Sequence, residues 1–198
     1  DVQERLIEAQ AEPHYLEGLE YLDQGQWQAA ETSFGLVIDL DPAYKDASVR
    51  FTEAKVERHY RAGQTYLAVE QWAKAATEFA QVVAIDPDYK DAVDLLQMAQ
   101  VEADYQAGKA YLEAGAWGDA VAAFDRVLGI APNYKDVPVL RREALSQWKE
   151  GLYDLAVKYS EAGEWAEAAA TFAQTRALDP NYLDVADRLA KSPLREAM

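Results

Sequence analysis

Apolar residues recur along this chain with helical spacing, in segments that alternate between long and short. From Trp27 to Leu40, the positions Ala30, Phe34, Val37 and Ile38 form one face of an amphipathic helix. Before it, Val2, Leu6, Ala9, Tyr15, Leu19 and Leu22 make a roughly helical stripe over residues 1–23, which Pro13 should kink and Gly25 should end. A two-helix hairpin results. Asp41 reads as an N-cap and Pro42 as a first-turn residue, so the next helix should start near residue 43. No Gly or Pro interrupts the stretch from Asp46 to Gly63, which carries that helix to about Val69. Its roughly 25 residues make about 37 Å, against about 18–21 Å for the short helix Trp72–Ile85.

The hairpin returns. Trp27, Trp72, Trp117 and Trp165 step by 45, 45 and 48 residues, and so do Phe34, Phe79, Phe124, Phe172 and Pro42, Pro87, Pro132, Pro180. All twelve tyrosines fall in three columns: Tyr15, Tyr60, Tyr105, Tyr153; Tyr21, Tyr66, Tyr111, Tyr159; and Tyr44, Tyr89, Tyr134, Tyr182. A fixed period of this size marks stacked supersecondary units, none of which can bury its apolar face alone. The fold expected is an all-α solenoid of antiparallel helix hairpins, one repeat domain over 1–198. Its units run approximately 1–42, 43–87, 88–132 and 133–180, with a capping segment 181–198.

The third unit should place its helices at Tyr89–Glu113 and Trp117–Ile130. The fourth has three extra residues between Asp136 and Tyr153, which would turn the stripe by about 60°, so a break or bulge is expected near Trp148–Gly151. A last inner helix, Leu183–Lys191, should stop at Ser192-Pro193 and cap the array.

Composition narrows the chemistry. With 198 residues, half of them apolar, a sizeable core can form, and there is no cysteine for a disulfide, a thiol nucleophile or a zinc-thiolate site. The net charge of −16 repels phosphate backbones and anionic lipid, and no apolar run reaches the roughly 18 residues of a bilayer span. Nucleic acid and membrane are therefore not expected as partners, and a cytoplasmic setting is. Asp1 aligns with Asp46, Asp91 and Asp136, which reads as a domain cut from a longer chain.

At this point the residues resemble the tetratricopeptide repeat family. The first unit carries Gly18, Tyr21, Leu22, Gly25, Trp27, Ala30, Phe34, Leu40, Asp41 and Pro42 at that family's spacings. Equivalent sets follow in the second and third units, and a looser one in the fourth, where Ala156 replaces the glycine. The resemblance implies a right-handed superhelix that binds proteins and carries no catalytic centre. Two departures stand out. These units are 11 residues longer than the family's 34, and 11 residues add about three helical turns with little phase error. Where the family places a large apolar residue early in the inner helix, this chain has His14, His59, Asp104 and Leu152.

The Trp and Phe columns read as core between the two helices of each hairpin, with Gly18, Gly63 and Gly108 allowing close approach. The Asp-Pro-x-Tyr-x-Asp segments gather carboxylates but lack the alternating ligands, central glycine and closing Glu of a calcium loop, so helix capping accounts for them and no metal or cofactor is expected. Only His14 and His59 exist as histidines, and no nucleophile stands at a recognisable distance from a base. The chain is not expected to be an enzyme.

The candidate site is another column. Glu12, Glu57, Glu102 and Glu150 each precede Tyr15, Tyr60, Tyr105 and Tyr153 by three residues, and residues three apart share a helix face. In the resembling family the matching face lines a concave groove that holds a peptide or partner helix. Here it would carry carboxylates and phenols, extended by Leu22, Leu67 and Leu112, and would favour a Lys- or Arg-bearing partner. On this reading Glu57→Lys with Glu102→Lys abolishes binding and leaves thermal stability nearly unchanged. The alternatives are that the tyrosines pack between units beside solvated glutamates, and that the array is a self-associating spacer forming a homo-oligomer. A clamp for an acidic C-terminal carboxylate would need Lys, Arg and Asn on this face, where only Lys109 and Lys55 lie close.

Overall fold

The computed structural model describes the backbone of residues 2–196 and the side chains of residues 2–191. Its helices are α1 (Val2–Asp23), α2 (Trp27–Leu40), α3 (Ala47–Ala68), α4 (Trp72–Ile85), α5 (Ala92–Glu113), α6 (Trp117–Ile130), α7 (Val137–Ala162), α8 (Trp165–Leu178) and α9 (Val185–Glu196). The described residues contain no strand. Asp1, aligned above with the later aspartates, lies outside them. The chain divides into two compact units, Asp1–Ala103 and Asp104–Met198. Within each, a long inner helix pairs with a short outer helix, and α5 supplies residues to both.

Three of the four hairpins are closed by the expected ring-on-glycine contact. A Cβ placed on Gly18, Gly63 or Gly108 would lie 2.8, 2.7 or 2.5 Å from the rings of Phe34, Phe79 or Phe124. Those phenylalanines are fully buried, and Phe172 is nearly so against Ala156. The tryptophans differ. Trp27, Trp72, Trp117 and Trp165 are only half-buried, each as the first residue of its outer helix. The Trp27 and Trp117 rings come within 3.8 and 3.7 Å of the Cβ position of Gly25 and Gly115, glycines in left-handed backbone (φ +68° and +72°).

The outer helices of the first three units have the predicted bounds, but the inner ones start later, with α3 at Ala47 and α5 at Ala92. The Asp-Pro segments do not cap them. The Asp41 carboxylate instead accepts from the Ala43 amide (2.9 Å), and Asp86 and Asp179 do the same for Asp88 and Asn181 (3.0 and 3.1 Å), so each closes a turn. Left-handed φ values of 46°, 47°, 43° and 46° at Lys45, Lys90, Lys135 and Leu183 then keep the chain out of helix until the turn has ended.

Three further expectations are revised. Pro13 lies inside α1, which runs on without interruption. The helix α9 continues through Ser192 and Pro193 to Glu196, since a proline removes one ladder bond without ending a helix. No break occurs near Trp148–Gly151 either: α7 is one α-helix of 26 residues. Its extra three residues appear as a gap in burial. Val137 and Ala144 keep the register of Ala92 and Ala99, Ala156 keeps that of Gly108, and nothing between Ala144 and Ala156 is buried. The Trp148 ring covers part of this stretch by resting 3.1 Å from the Cβ position of Gly118.

Candidate partner-binding site

The tyrosines of the candidate column are tied to the residue that precedes the next inner helix. Tyr15, Tyr60 and Tyr105 donate to Asp46, Asp91 and Asp136 at 2.5, 2.5 and 3.0 Å, and Tyr153 donates to Asp184. Their rings meet the core edge-on: Tyr60 lies 5.8 Å from Phe79 and 5.6 Å from Tyr89. Tyr60 and Tyr105 are buried, whereas Tyr15 and Tyr153 are half-buried.

The glutamates occupy a second set of contacts. Glu57 is 6% exposed and accepts from the Tyr89 hydroxyl, from Lys90 Nζ at 2.6 Å and from Arg61 Nε at 2.8 Å. Glu12 likewise accepts from Tyr44 and Lys45. The lysine of each turn also lies over the phenol rings, with Lys90 Nζ 4.6 Å from the Tyr60 centroid and Lys135 Nζ 4.5 Å from that of Tyr105. Glu102 is buried at 8% exposure. Glu150 is exposed, and its place is taken by Lys149, which bonds Asp179 at 2.8 Å and lies over the Tyr182 ring. Glu150 keeps the spacing of Glu12 and Glu57 to the tyrosines, so the difference lies in the turn, where Leu183 replaces the lysine that pairs with those glutamates. Leu22, Leu67 and Leu112 are half-buried beside these columns.

The electrostatics follow from the donors. Lys45 and Tyr44 hold the Glu12 carboxyl below its ordinary value. Burial works against ionisation of Glu57, yet Lys90, Tyr89 and Arg61 outweigh it and keep that carboxyl low as well. The bond to Asp91 raises the Tyr60 phenol, and burial followed by the Glu57 bond raises Tyr89. Carboxylates held ionised by several donors suit a clamp and do not suit proton transfer. Among the described residues no three His, Cys, Asp or Glu side chains are grouped to hold a metal ion.

In the second and third units, the column where the resembling family is apolar makes polar ties between inner and outer helices. His59 Nδ1 lies 2.7 Å from Glu78 Oε2, and the Arg126 guanidinium bonds Asp104 at 2.6 Å. The residues missed above are the acceptors and donors of the next turn: Asp46, Asp91, Asp136 and Asp184 with Lys45, Lys90 and Lys135. Their recurrence was the available signal, since the aspartates and lysines repeat with the tyrosines they contact.

Residues 60–135 match the family of the tetratricopeptide repeat. This segment is made of tetratricopeptide repeats. Among solved structures, the MamA protein is 15% identical over 95% of this chain and 83% of its own, with a TM-score of 0.24. A thermophilic tetratricopeptide repeat protein of Thermus thermophilus is 21% identical over 93% of this chain and 99% of its own, with a TM-score of 0.24. A third, from Parabacteroides merdae, is 11% identical over 93% and 99%, with a TM-score of 0.27. At such TM-scores the superpositions add nothing to the sequence match. No curated protein matches the chain. The tetratricopeptide fold generally serves protein–protein interaction, and no helix among the described residues is long and apolar enough to cross a membrane.

Proposed function

We propose that the chain is a non-catalytic interaction module that holds a peptide or partner helix against its inner-helix face. The observation that carries this reading is the repetition of that face: Leu22, Leu67 and Leu112 stand half-exposed at the same point of successive units, beside the same phenols. The clamp makes the face rigid, so a ligand meets a surface that needs little ordering. With Glu57 committed to Lys90 and Arg61, charge preference comes from the surrounding surface, whose net charge of −16 favours a basic partner.

A photo-crosslinking amino acid at position 67, compared with one at the outer-helix position 74, tests the face in cell extract. Products from position 67 that recur at 22 and 112 and are absent from 74 support it. Equal labelling at both would overturn it. The self-associating spacer is the alternative, and light scattering that finds only monomer at high concentration removes it.

A further inference from the structure

The 11 residues that lengthen each inner helix have a geometric consequence beyond the face described above. The helix α3 has 22 residues and α4 has 14, so about 12 Å of α3 runs past the end of α4, while its other side there packs on α2, with Phe51 3.5 Å from the Cβ position of Gly35. The side of α3 that continues its contact with α4 is uncovered there, at Val49. It opens into a recess of about 640 Å³, lined by Val49, Val56, Ile85 and Tyr89 together with Glu53 and Asp86. That volume lies within the range of sites that accept small molecules and peptide side chains. Val49 is 65% exposed, although Val56, two turns further along the same side, is only 3% exposed.

The occupant is indicated by charge. No Lys or Arg lines the recess, and both ionisable residues at its edge are acidic. Glu53 accepts one bond from Arg50, at 3.0 Å, and Asp86 accepts from the Asp88 amide within its turn. Glu53 is exposed and Asp86 half-buried, and neither would have to leave a buried ion pair to attract a cation. A second copy of this chain would bring more negative charge to the same place.

We infer that this recess takes one apolar side chain of an extended peptide whose neighbouring residues are Lys or Arg. The inference rests on the reading that the chain binds proteins, and it names the anchor and its flanks. The extension of α3 is then a binding element as well as a scaffold, and the chain reads peptide sequence at a place a 34-residue repeat would not possess.

The test uses two fluorescein-labelled decapeptides, each with a single central Leu, one flanked by Lys and the other by Glu, with methyl NMR on the whole chain. The Lys-flanked peptide should shift the methyl signals of Val49, Val56 and Ile85, and the Glu-flanked one should not. Thr52→Arg, at an exposed lining position, should weaken binding at least tenfold with an unchanged melting temperature. Val69→Lys, exposed elsewhere, should leave binding intact. Shifts confined to Leu22, Leu67 and Leu112 would overturn the recess and leave the interaction module standing. No binding, or equal binding of both peptides, would also overturn it, while the crosslinking experiment judges the module independently.

Discussion

The Tyr60 phenol donates to the Asp91 carboxylate across 2.5 Å, joining the middle of α3 to the residue just before α5. The pair is 31 positions apart, and so are Tyr15 with Asp46, Tyr105 with Asp136 and Tyr153 with Asp184. The three extra residues of α7 precede Tyr153, so the last pair keeps its spacing although the repeat period does not. Each tie fixes where an inner helix begins relative to the one before it, which is the geometry that stacks one hairpin on the next.

Removing the Tyr60 hydroxyl leaves the ring in its edge-on contacts and deletes only this bond. Tyr60→Phe is expected to lower stability by about 1–2 kcal/mol, as for a hydrogen bond to a charged acceptor that is itself exposed. A double-mutant cycle with Asp91→Asn, read by urea unfolding, should return most of that amount as coupling. Additive effects would mean that the pair contributes nothing beyond its separate residues.

Glu57 and Glu150 share a column and differ in surroundings. Glu57→Ala strands Tyr89 and Lys90, and because Lys90 can still reach water the cost should be roughly 2–3 kcal/mol, less than for a fully buried pair. Glu57→Lys with Glu102→Lys should unfold the chain much more readily, in contrast to the stability-neutral outcome expected from the sequence. Glu150→Lys, at an exposed position, should stay within about 0.5 kcal/mol of the parent. Thermal melts of the three variants distinguish a scaffold role from a solvated one.

The pH profile follows from the same bonds. Glu12, Asp46, Asp179 and Asp184 are held below their ordinary values by Lys45 with Tyr44, by Tyr15 with Arg50, by Lys149, and by Tyr153 with Arg188 respectively. The unfolded chain therefore binds more protons as pH falls through 4.5 and 3.8, and the stability these groups contribute above that range is lost below it. At the other end, Tyr15 and Tyr60 are raised above 10.0 by their bonds to Asp46 and Asp91, so the folded chain keeps protons that the unfolded chain releases. Their contribution is present below pH 10.0 and lost above it. Melting temperature should be flat through neutrality and fall at both extremes, and absorbance near 295 nm should show a late-ionising set of phenols.

The outer helices of the first three units were legible to the residue because a tryptophan opens each one and a residue followed by proline closes it. The inner-helix starts were not, since Asp-Pro reads equally as a helix cap or as a turn, and only the left-handed backbone at Lys45 and its counterparts decides. The glutamate and tyrosine columns were visible, but partners 31 to 33 positions away cannot be assigned from one helix face. The register slip was visible too. Its outcome depended on whether a regular helix with an unburied stretch costs less than a bulge, and the Trp148 contact with Gly118 favours the regular helix.

One residue in the second unit breaks a local rule that the others obey. The turn between inner and outer helix is left-handed at Gly25, Gly115 and Gly163, and at the equivalent place stands Glu70, with φ 56°. A side chain there costs about 1–2 kcal/mol relative to a residue free to adopt that backbone. Glycine recovers part of this and loses part through its more flexible unfolded state, so Glu70→Gly should stabilise the chain by about 0.5–1 kcal/mol. Gly63→Ala is the opposite case, because its Cβ would meet the Phe79 ring at 2.7 Å, and it should destabilise by roughly 1–3 kcal/mol. Urea midpoints moving in opposite directions for the two substitutions would establish that the turn is governed by backbone conformation and the crossing by space; movement in the same direction would refute that division.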